Sequence, residues 1–426
     1  MKNKVTGSLF SGGGIGDVGI EWGHGIPVIA ASELVPSRAA LIRKNFPRTK
    51  VFEGDIWKTK DAYVNFFKEK LGSKHPWLLT LSPPCQGMSS NGAGRISSEI
   101  KSGKRPKEDT RNRLILPGIE ILESLQPEWF ILENVRRMEN TVIRNENGEP
   151  ENILQCLDRR LGGLGYSIFA NILDFRNYGV PHHRERLITV GCRIPHLCRK
   201  FPSGSGIFSK ELSPFHPLPS HGQNGQRAWV SLREAIQHLP SLDAKTETVS
   251  QEDDFHCVPK WNEQQYFWMQ HTPEGQSAFD NIQCIKCNRT MEDPTAVSCV
   301  CGEALPRPQI KESGKYRLVR GFKSSYRRMK WDKPAGTITM NSGVISSDVK
   351  GHPVENRVLS LREILILSTL DYPCWFKKYT FDEIPYGRAT QGQSFSGKLV
   401  REVIGESIPP LAMKKMVDHL LKLEKE

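Results

Sequence analysis

No stretch of this chain approaches eighteen consecutive apolar residues, so no segment is long enough to be a membrane-spanning helix. The opening run MKNKVTGSLFSGG lacks the apolar centre of a secretory signal and passes straight into strand-like sequence, which makes the cytoplasm the expected location. No internal repeat is evident. Acidic residues are in deficit: 47 Asp and Glu face 59 Lys and Arg, a formal net charge of +12. That balance is high for an enzyme of small metabolites and suits a polyanionic partner, most simply nucleic acid. A merely soluble basic surface is the alternative. Ten cysteines in a cytoplasmic chain read as reduced thiols, metal ligands or a nucleophile rather than as a disulfide framework.

What is present is enough chain for two domains: 426 residues, 38% of them hydrophobic. From residue 4 to about 191, short β-branched runs alternate with helical-period runs. VTGSLF precedes IGDVGIEWGH, PVIAAS precedes SRAALIRKNF, and KVFEG precedes AYVNFFKEKLG; HPWLLTLS, EWFILEN, YSIFANILD and RERLITVGC supply the later strands. This rhythm predicts an α/β domain over 1–193, a parallel sheet flanked by helices. Residues 201–225, rich in Pro, Gly, Ser and His, read as a linker or irregular loop. Mixed short segments fill a second, smaller domain over 194–356. Helical periodicity returns in SLREILILSTL and PPLAMKKMVDHLLKLEKE, so 357–426 is expected to pack back on the first domain.

Gly14, Gly16 and Gly19 fit G-x-G-x-x-G between a strand and a helix, and Glu33 ends the next strand. Glycines let a backbone approach a nucleotide-like ligand, and a carboxylate at the second strand end can grip ribose hydroxyls. NAD, S-adenosylmethionine and a structural turn all remain open on that pattern. Asp55, in FEGDIW, is either an acceptor for an adenine amino group or a helix-capping residue.

Three further elements sit at strand ends: PPCQG at 83–87, ENV at 133–135 and GVPHHRER at 179–186. With LFSGGG, Glu33, GDI, DTRNRL, RVLSLRE and IGESIPP in this order, the chain resembles DNA (cytosine-5) methyltransferases of the bacterial restriction-modification type. The resemblance covers nearly everything except about 200–310. It implies a Rossmann-like S-adenosylmethionine-dependent fold with a target-recognition domain. The cofactor would lie on Phe10, Ser11, Gly12 and Gly14, between Glu33, Leu34, Asp55 and Ile56, with Pro84, Leu114 and Ser407 closing the site. Double-stranded DNA is the implied substrate, contacted by Gln86, Ser89, Arg327, Arg328 and Thr337. A cognate restriction endonuclease acting on the same site, and a monomeric state, belong to the same expectation. An RNA methyltransferase on this fold and an inactive DNA-binding relative are the rival readings.

Residue chemistry supports the resemblance. Carbon 5 of cytosine is too poor a nucleophile to take a methyl group from a sulfonium until another nucleophile adds at carbon 6, and a thiolate does that best. Cys85, behind two prolines, fits that role. Glu133 can supply or share the proton that ring nitrogen N3 then needs. Arg184 and Arg186 alternate on a strand, one to grip the base carbonyl or a phosphate and the other to hold Glu133 or backbone. The stretch NGAGRISSEIKSGKRPKEDTRNR, glycine-rich then basic, reads as a loop closing over nucleic acid once the base is flipped out. Ile15, His182 and Glu406 depart from the family pattern, which usually has Gly, Gln and Asn there. A carboxylate at 406 could favour the cofactor's positive charge.

Cys284-x-x-Cys287 is followed by Cys299-x-Cys301, two close thiol pairs suited to a tetrahedral structural zinc in a knuckle over 284–301. Beyond it, KESGKYRLVRGFKSSYRRMKWDK carries nine basic and two acidic residues interleaved with Tyr and Trp, a pattern suited to a DNA-facing surface.

Overall fold

The computed structural model describes residues 4–84, 110–204, 206–320, 324–384 and 393–426. Strands β1 (Thr6–Leu9), β2 (Val28–Glu33), β3 (Lys50–Glu53), β4 (Leu78–Leu81) and β5 (Trp129–Asn134) are mutually parallel. Helices α1 (Ile15–His24), α2 (Pro36–Asn45), α3 (Ile56–Leu71) and α4 (Ile115–Leu125) lie between them in sequence. A small hairpin, β6 (Val142–Arg144) with β7 (Pro150–Asn152), precedes α5 (Ile153–Gly162). Then come β8 (Ser167–Asp174) and β9 (Glu185–Cys192).

The seven-stranded sheet has the order β3-β2-β1-β4-β5-β9-β8. It is not parallel throughout: β9 inserts between β5 and β8 and runs antiparallel to both. The physical reason is the connection, for β8 and β9 are joined by the short turn Phe175–Tyr178 and residues 179–184, with no α-helix to carry a crossover. Chain order reverses between β1 and β4, so the loops leaving those two strands flank the switch point where open α/β sheets bind ligands.

Successive strand residues face opposite layers. Leu79, Leu81, Phe130 and Leu132 pack with Tyr63 and Phe67 of α3 and Ile119 and Leu122 of α4. Leu78, Trp129 and Ile131 pack on the other side with Met413, Val417 and Leu420 of the C-terminal helix. After α6 (Pro195–Lys200), regular structure becomes sparse: α7 (Leu232–Ile236), α8 (Glu263–Gln270), the hairpin β10 (Gln309–Glu312) and β11 (Lys315–Leu318), and the pair β12 (Arg327–Arg328) and β13 (Val349–Gly351). Trp261, Trp268, Met269, Tyr326, Ile345 and Val358 form the small core of this region.

Helices α9 (Leu361–Leu367), α10 (Gly397–Glu406) and α11 (Pro410–Leu423) return to the sheet. A methyl group on Gly19 of α1 would stand 2.2 Å from the carbonyl oxygen of Pro410, so glycine is what lets α11 approach α1 closely. Just beyond α11, the Glu424 carboxylate accepts hydrogen bonds from Trp77 Nε1 at 2.6 Å and Trp129 Nε1 at 2.9 Å and pairs with Lys4. No helix among the described residues is long and apolar enough to cross a membrane.

Candidate active site

The loop leaving β1 is conformationally unusual. Phe10 has φ 56°, a left-handed conformation uncommon outside glycine, and Gly12 and Gly14 follow at 57° and 74°. Strain of this kind persists only where surrounding structure enforces it. Here the enforcement comes partly from the C-terminal segment, because Tyr379 donates its hydroxyl hydrogen to the Gly13 carbonyl and Val403 packs against Gly13. A methyl group on Gly12 would meet nothing within 4 Å among the described residues, so on that side the turn is uncovered by them.

Glu33, at the end of β2, braces the loop. One carboxylate oxygen accepts from Gly12 N and the other from Val35 N, each at 2.8 Å. Burial pushes its carboxyl above the usual range, against the opposing effect of the Val35 N–H and the Arg38 charge. Leu34 projects into solvent at 62% exposure, while Ile56 is buried at the start of α3. Asp55 caps α3, accepting from Trp57 N at 3.0 Å. Ser407 donates to the Val403 carbonyl, and Pro84 and Leu114 are half-buried. Of the three glycines in the fingerprint, only Gly14 lies in the turn; Gly16 is inside α1 and Gly19 serves helix packing.

The second cluster lies beyond β4, β5 and β9. Glu133 stands opposite Ile188 in the β5–β9 ladder, and Arg186 is two residues from Ile188 on the same face, a diagonal cross-strand neighbour. Arg186 Nε lies 2.7 Å from Glu133 Oε1, with both side chains largely buried. The next residue, Asn134, donates from Nδ2 to the carbonyl of Pro83 at 3.0 Å, tying the turn after β4 to the end of β5. That tether was spelled in the ENV motif, but its partner could not be read there. Cys85, Gln86 and Ser89 lie outside the described residues, as does the loop through 109. Cys85 is the next residue after half-buried Pro84.

The two arginines divide their work. Arg184 is 1% exposed and donates to the carbonyls of Ile338 at 3.3 Å and Gly405 at 3.1 Å, joining the sheet to the region after α6 and to α10. Beside it, His182 is buried, and desolvation with the Arg184 charge holds its ring neutral, well below the ordinary histidine range. His183 N donates to the Ala335 carbonyl at 2.8 Å and Ala335 N to the Pro181 carbonyl at 2.9 Å, which brings half-buried Thr337 close to this strand end. The Thr337 carbonyl accepts from the buried Lys350 ammonium at 2.7 Å. Glu406 pairs with Arg38 at 2.5 Å, a link from α10 to α2 that sequence reasoning missed because its partners are far apart in the chain.

One DNA-binding expectation needs correction. Arg328 is 3% exposed and donates to the carbonyls of Thr272, Met269, His352 and Glu355 and to Asn356 Oδ1, so its guanidinium is a core staple that cannot reach a duplex. Arg327 is half-exposed, with one hydrogen bond to the Gly275 carbonyl and an ion pair with Asp280 at 3.8 Å. Among the described residues, the exposed cations of the basic run include Lys311 and Lys315 of the β10–β11 hairpin, Arg320, Lys330 and Lys333; in the hairpin Lys311 lies over Tyr316 and Arg317 pairs with Glu312.

Cys284, Cys287, Cys299 and Cys301 converge, their sulfurs all within 4.8 Å of one another. Cys284 and Cys301 are 3.6 Å apart, and Cys287 and Cys299 are 3.5 Å apart. A tetrahedron of thiolates about 2.3 Å from a zinc ion has edges of about 3.8 Å, so the spacing fits that metal. Backbone N–H groups, that of Cys287 foremost, draw the Cys284 thiol down to about 7.

Comparison with known proteins agrees with this geometry. The model of a family described as C-5 cytosine-specific DNA methylase matches residues 5–421. The chain is 31% identical over 436 residues to the Type II methyltransferase M1.HgaI of Avibacterium volantium, covering 99% of each protein. It is 24% identical to the Type II methyltransferase M1.HphI of Haemophilus parahaemolyticus, over 97% of this chain and 86% of that one. Among solved structures, a putative DNA modification methyltransferase encoded within a prophage of E. coli shares the fold, with TM-score 0.57, 20% identity and complete coverage of both chains. Spodoptera frugiperda DNMT2 does so with TM-score 0.56 and 16% identity, over 98% of this chain and all of that one.

Proposed function

The chain belongs to the C-5 cytosine-specific DNA methylase family, and from that premise we propose how its residues carry out methyl transfer to carbon 5 of cytosine in duplex DNA. The observation that carries the assignment is the Glu133–Arg186 pair at 2.7 Å beside a Pro83 carbonyl tethered by Asn134. A carboxyl group is thereby fixed next to the turn that leads into Cys85.

A cytosine inside a duplex cannot reach that turn, so it must leave the stack. The Cys85 thiolate then adds to carbon 6, and its new carbon–sulfur bond pushes electron density toward N3 and carbon 5. Glu133 protonates N3, while Arg186 holds the carboxyl in place and keeps it from rotating away. Carbon 5, now enamine-like, takes the methyl group; N3 returns its proton to Glu133, and loss of the carbon 5 proton to a water molecule with expulsion of the Cys85 thiolate restores the aromatic ring. S-adenosylmethionine supplies that methyl on a positively charged sulfur when bound. The Gly12 turn, the Glu33 carboxylate and the exposed face of Leu34 fit it: glycines for close backbone approach, a carboxylate for ribose hydroxyls, an apolar surface for adenine.

The recognition region reads sequence through the stretch around Thr337, Arg327 and the β10–β11 hairpin, where exposed cations such as Lys311, Lys315, Arg320 and Lys330 gather. Zinc bound by Cys284, Cys287, Cys299 and Cys301 holds its knuckle, whose own apolar core is little more than Leu305 beneath two of the cysteines. A restriction endonuclease cutting the same site would be the cellular counterpart, in keeping with the Type II designation of the relatives.

Methyl acceptance from labelled cofactor by duplex DNA and by tRNA tests the assignment, followed by bisulfite sequencing of DNA from expressing cells. Incorporation into DNA at carbon 5 within one sequence is expected. Incorporation into tRNA alone would overturn it.

A further inference from the structure

Beneath the loop after β1 lies a carboxyl group that the mechanism does not use. Asp17, in the first turn of α1, is 5% exposed, and among the described residues it has no ion-pair partner. Ser8 of β1, itself 2% exposed, donates its hydroxyl hydrogen to Asp17 Oδ2 at 2.9 Å. Ser8 Oγ is also 2.7 Å from Ser11 Oγ, and Ser11 Oγ is 3.3 Å from the Ser32 carbonyl. A chain of three side chains thus runs from the core to the half-buried Ser11, which immediately precedes Gly12.

We propose that Asp17 is a positioning residue for cofactor binding, setting through Ser8 the hydrogen-bond polarity of the Ser11 hydroxyl. Each hydroxyl has one proton to give. When Asp17 is ionised it can only accept, so the Ser8 proton points at it and Ser11 must donate to Ser8. The Ser11 oxygen then offers lone pairs outward and accepts from an N–H or O–H of the ligand. When Asp17 is protonated it can donate to Ser8, the direction reverses along the chain, and the Ser11 proton turns to the Ser32 carbonyl or outward. Ser11 then spends one of its two lone pairs on Ser8, and its capacity to accept from the ligand is halved. The other titratable groups facing Asp17 are Glu21 on the same helix, Tyr63 from α3 and Tyr379 from the C-terminal segment, none of which brings a positive charge. Burial holds the Asp17 carboxyl at about 7, so the reversal falls within the working range of pH.

The inference rests on the reading of the Gly12–Gly14 turn as the cofactor site, and one set of titrations separates the two. Calorimetry with S-adenosylhomocysteine as the probe, between about pH 6 and pH 8, should show the parent Kd rising as pH falls through 7, by at most about tenfold per unit. Asp17→Asn and Ser11→Ala should lose that dependence, one because nothing titrates and the other because nothing is oriented. Buried Glu33 and half-buried Glu406, whose carboxyls are also raised, remain in both variants, so their contribution cancels in the comparison. A parent profile that is flat, or that Ser11→Ala reproduces, overturns the relay while leaving the cofactor site intact. Failure of the parent to bind the probe at any pH would overturn both. Should Asp17→Asn fail to fold, Ser11→Ala alone decides the matter, since its side chain is not part of the closed core.

Discussion

Arg328 and Arg327 are adjacent in a basic run, yet their substitution by alanine should have opposite consequences. Arg328 spans three stretches of chain: it binds carbonyls at 269 and 272, carbonyls at 352 and 355, and the Asn356 side chain, from its own place on β12. Arg328→Ala leaves these acceptors facing a void that is 3% open to water. An unsatisfied buried acceptor costs about 1–3 kcal/mol. Because some of the five will rehydrate or find new donors, we expect the total to match the loss of one partner from a buried charged network, about 3–5 kcal/mol. Arg327→Ala removes one carbonyl hydrogen bond and an exposed ion pair with Asp280 and should cost under about 1 kcal/mol. Urea unfolding followed by tryptophan fluorescence suits the comparison, for Trp261 and Trp268 lie in the core that Arg328 braces. On DNA the order reverses: Arg327→Ala should lower the slope of log affinity against log salt by about 1, with folded Arg328→Ala protein keeping the parent slope. An Arg328→Ala protein as stable as the parent, with a slope reduced by one charge, would refute the reasoning.

Glu133→Gln retains an oxygen for Arg186 but has no acidic proton for N3, so kcat should fall by about 10²–10⁴ with cofactor binding preserved; turnover near the parent rate in a methyl-transfer assay would assign the proton to another donor. Asp17 gives a stability test with a definite sign. Its carboxyl is held at about 7 against an ordinary value of 3.8, so between those pH values the folded chain carries a proton that the unfolded chain has lost, and stability falls as pH rises. Asp17→Asn should therefore gain on the parent by ~1.4 kcal/mol per pH unit, reaching about 4 kcal/mol near pH 7 and levelling above it; a gain independent of pH would contradict this. Removal of zinc, or Cys299→Ser, should leave cofactor binding intact while reducing discrimination between specific and scrambled duplexes, with about one zinc per parent chain by elemental analysis. A zinc-free chain that still discriminates would leave the four cysteines as ordinary thiols.

The alternation of strands and helices is legible in the sequence because strands covered on both faces read as continuous apolar runs, as in WLLTL and WFILE. Their direction is less legible. YSIFANILD and RERLITVGC are equally strand-like whichever way they run, and only the short connection at 175–184, one 3-10 turn with no α-helix, makes β9 antiparallel. The thiol pairs 284/287 and 299/301 are readable because their close spacing lies within short stretches of chain. The basic run is not readable residue by residue: composition gives its charge, and nothing local distinguishes Arg328, turned inward on β12, from half-exposed Arg327. Asp17, Tyr379 and the Arg38–Glu406 pair were invisible for a different reason. Each matters through partners brought together by the fold, and the C-terminal segment that supplies Tyr379 and Glu406 is more than 300 residues from the loop and helix it meets.

The central claim is that a thiolate at residue 85 attacks cytosine with Glu133 beside it. A duplex carrying 5-fluorocytosine at the target position tests this most directly. After addition at carbon 6 and methyl transfer, fluorine cannot leave carbon 5 as a proton does, so the carbon–sulfur bond persists. Incubation with S-adenosylmethionine should give a denaturation-resistant complex with the parent, mapping by peptide mass to Cys85, and none with Cys85→Ser. A covalent complex in the serine variant, or one mapping to another cysteine, would contradict the account.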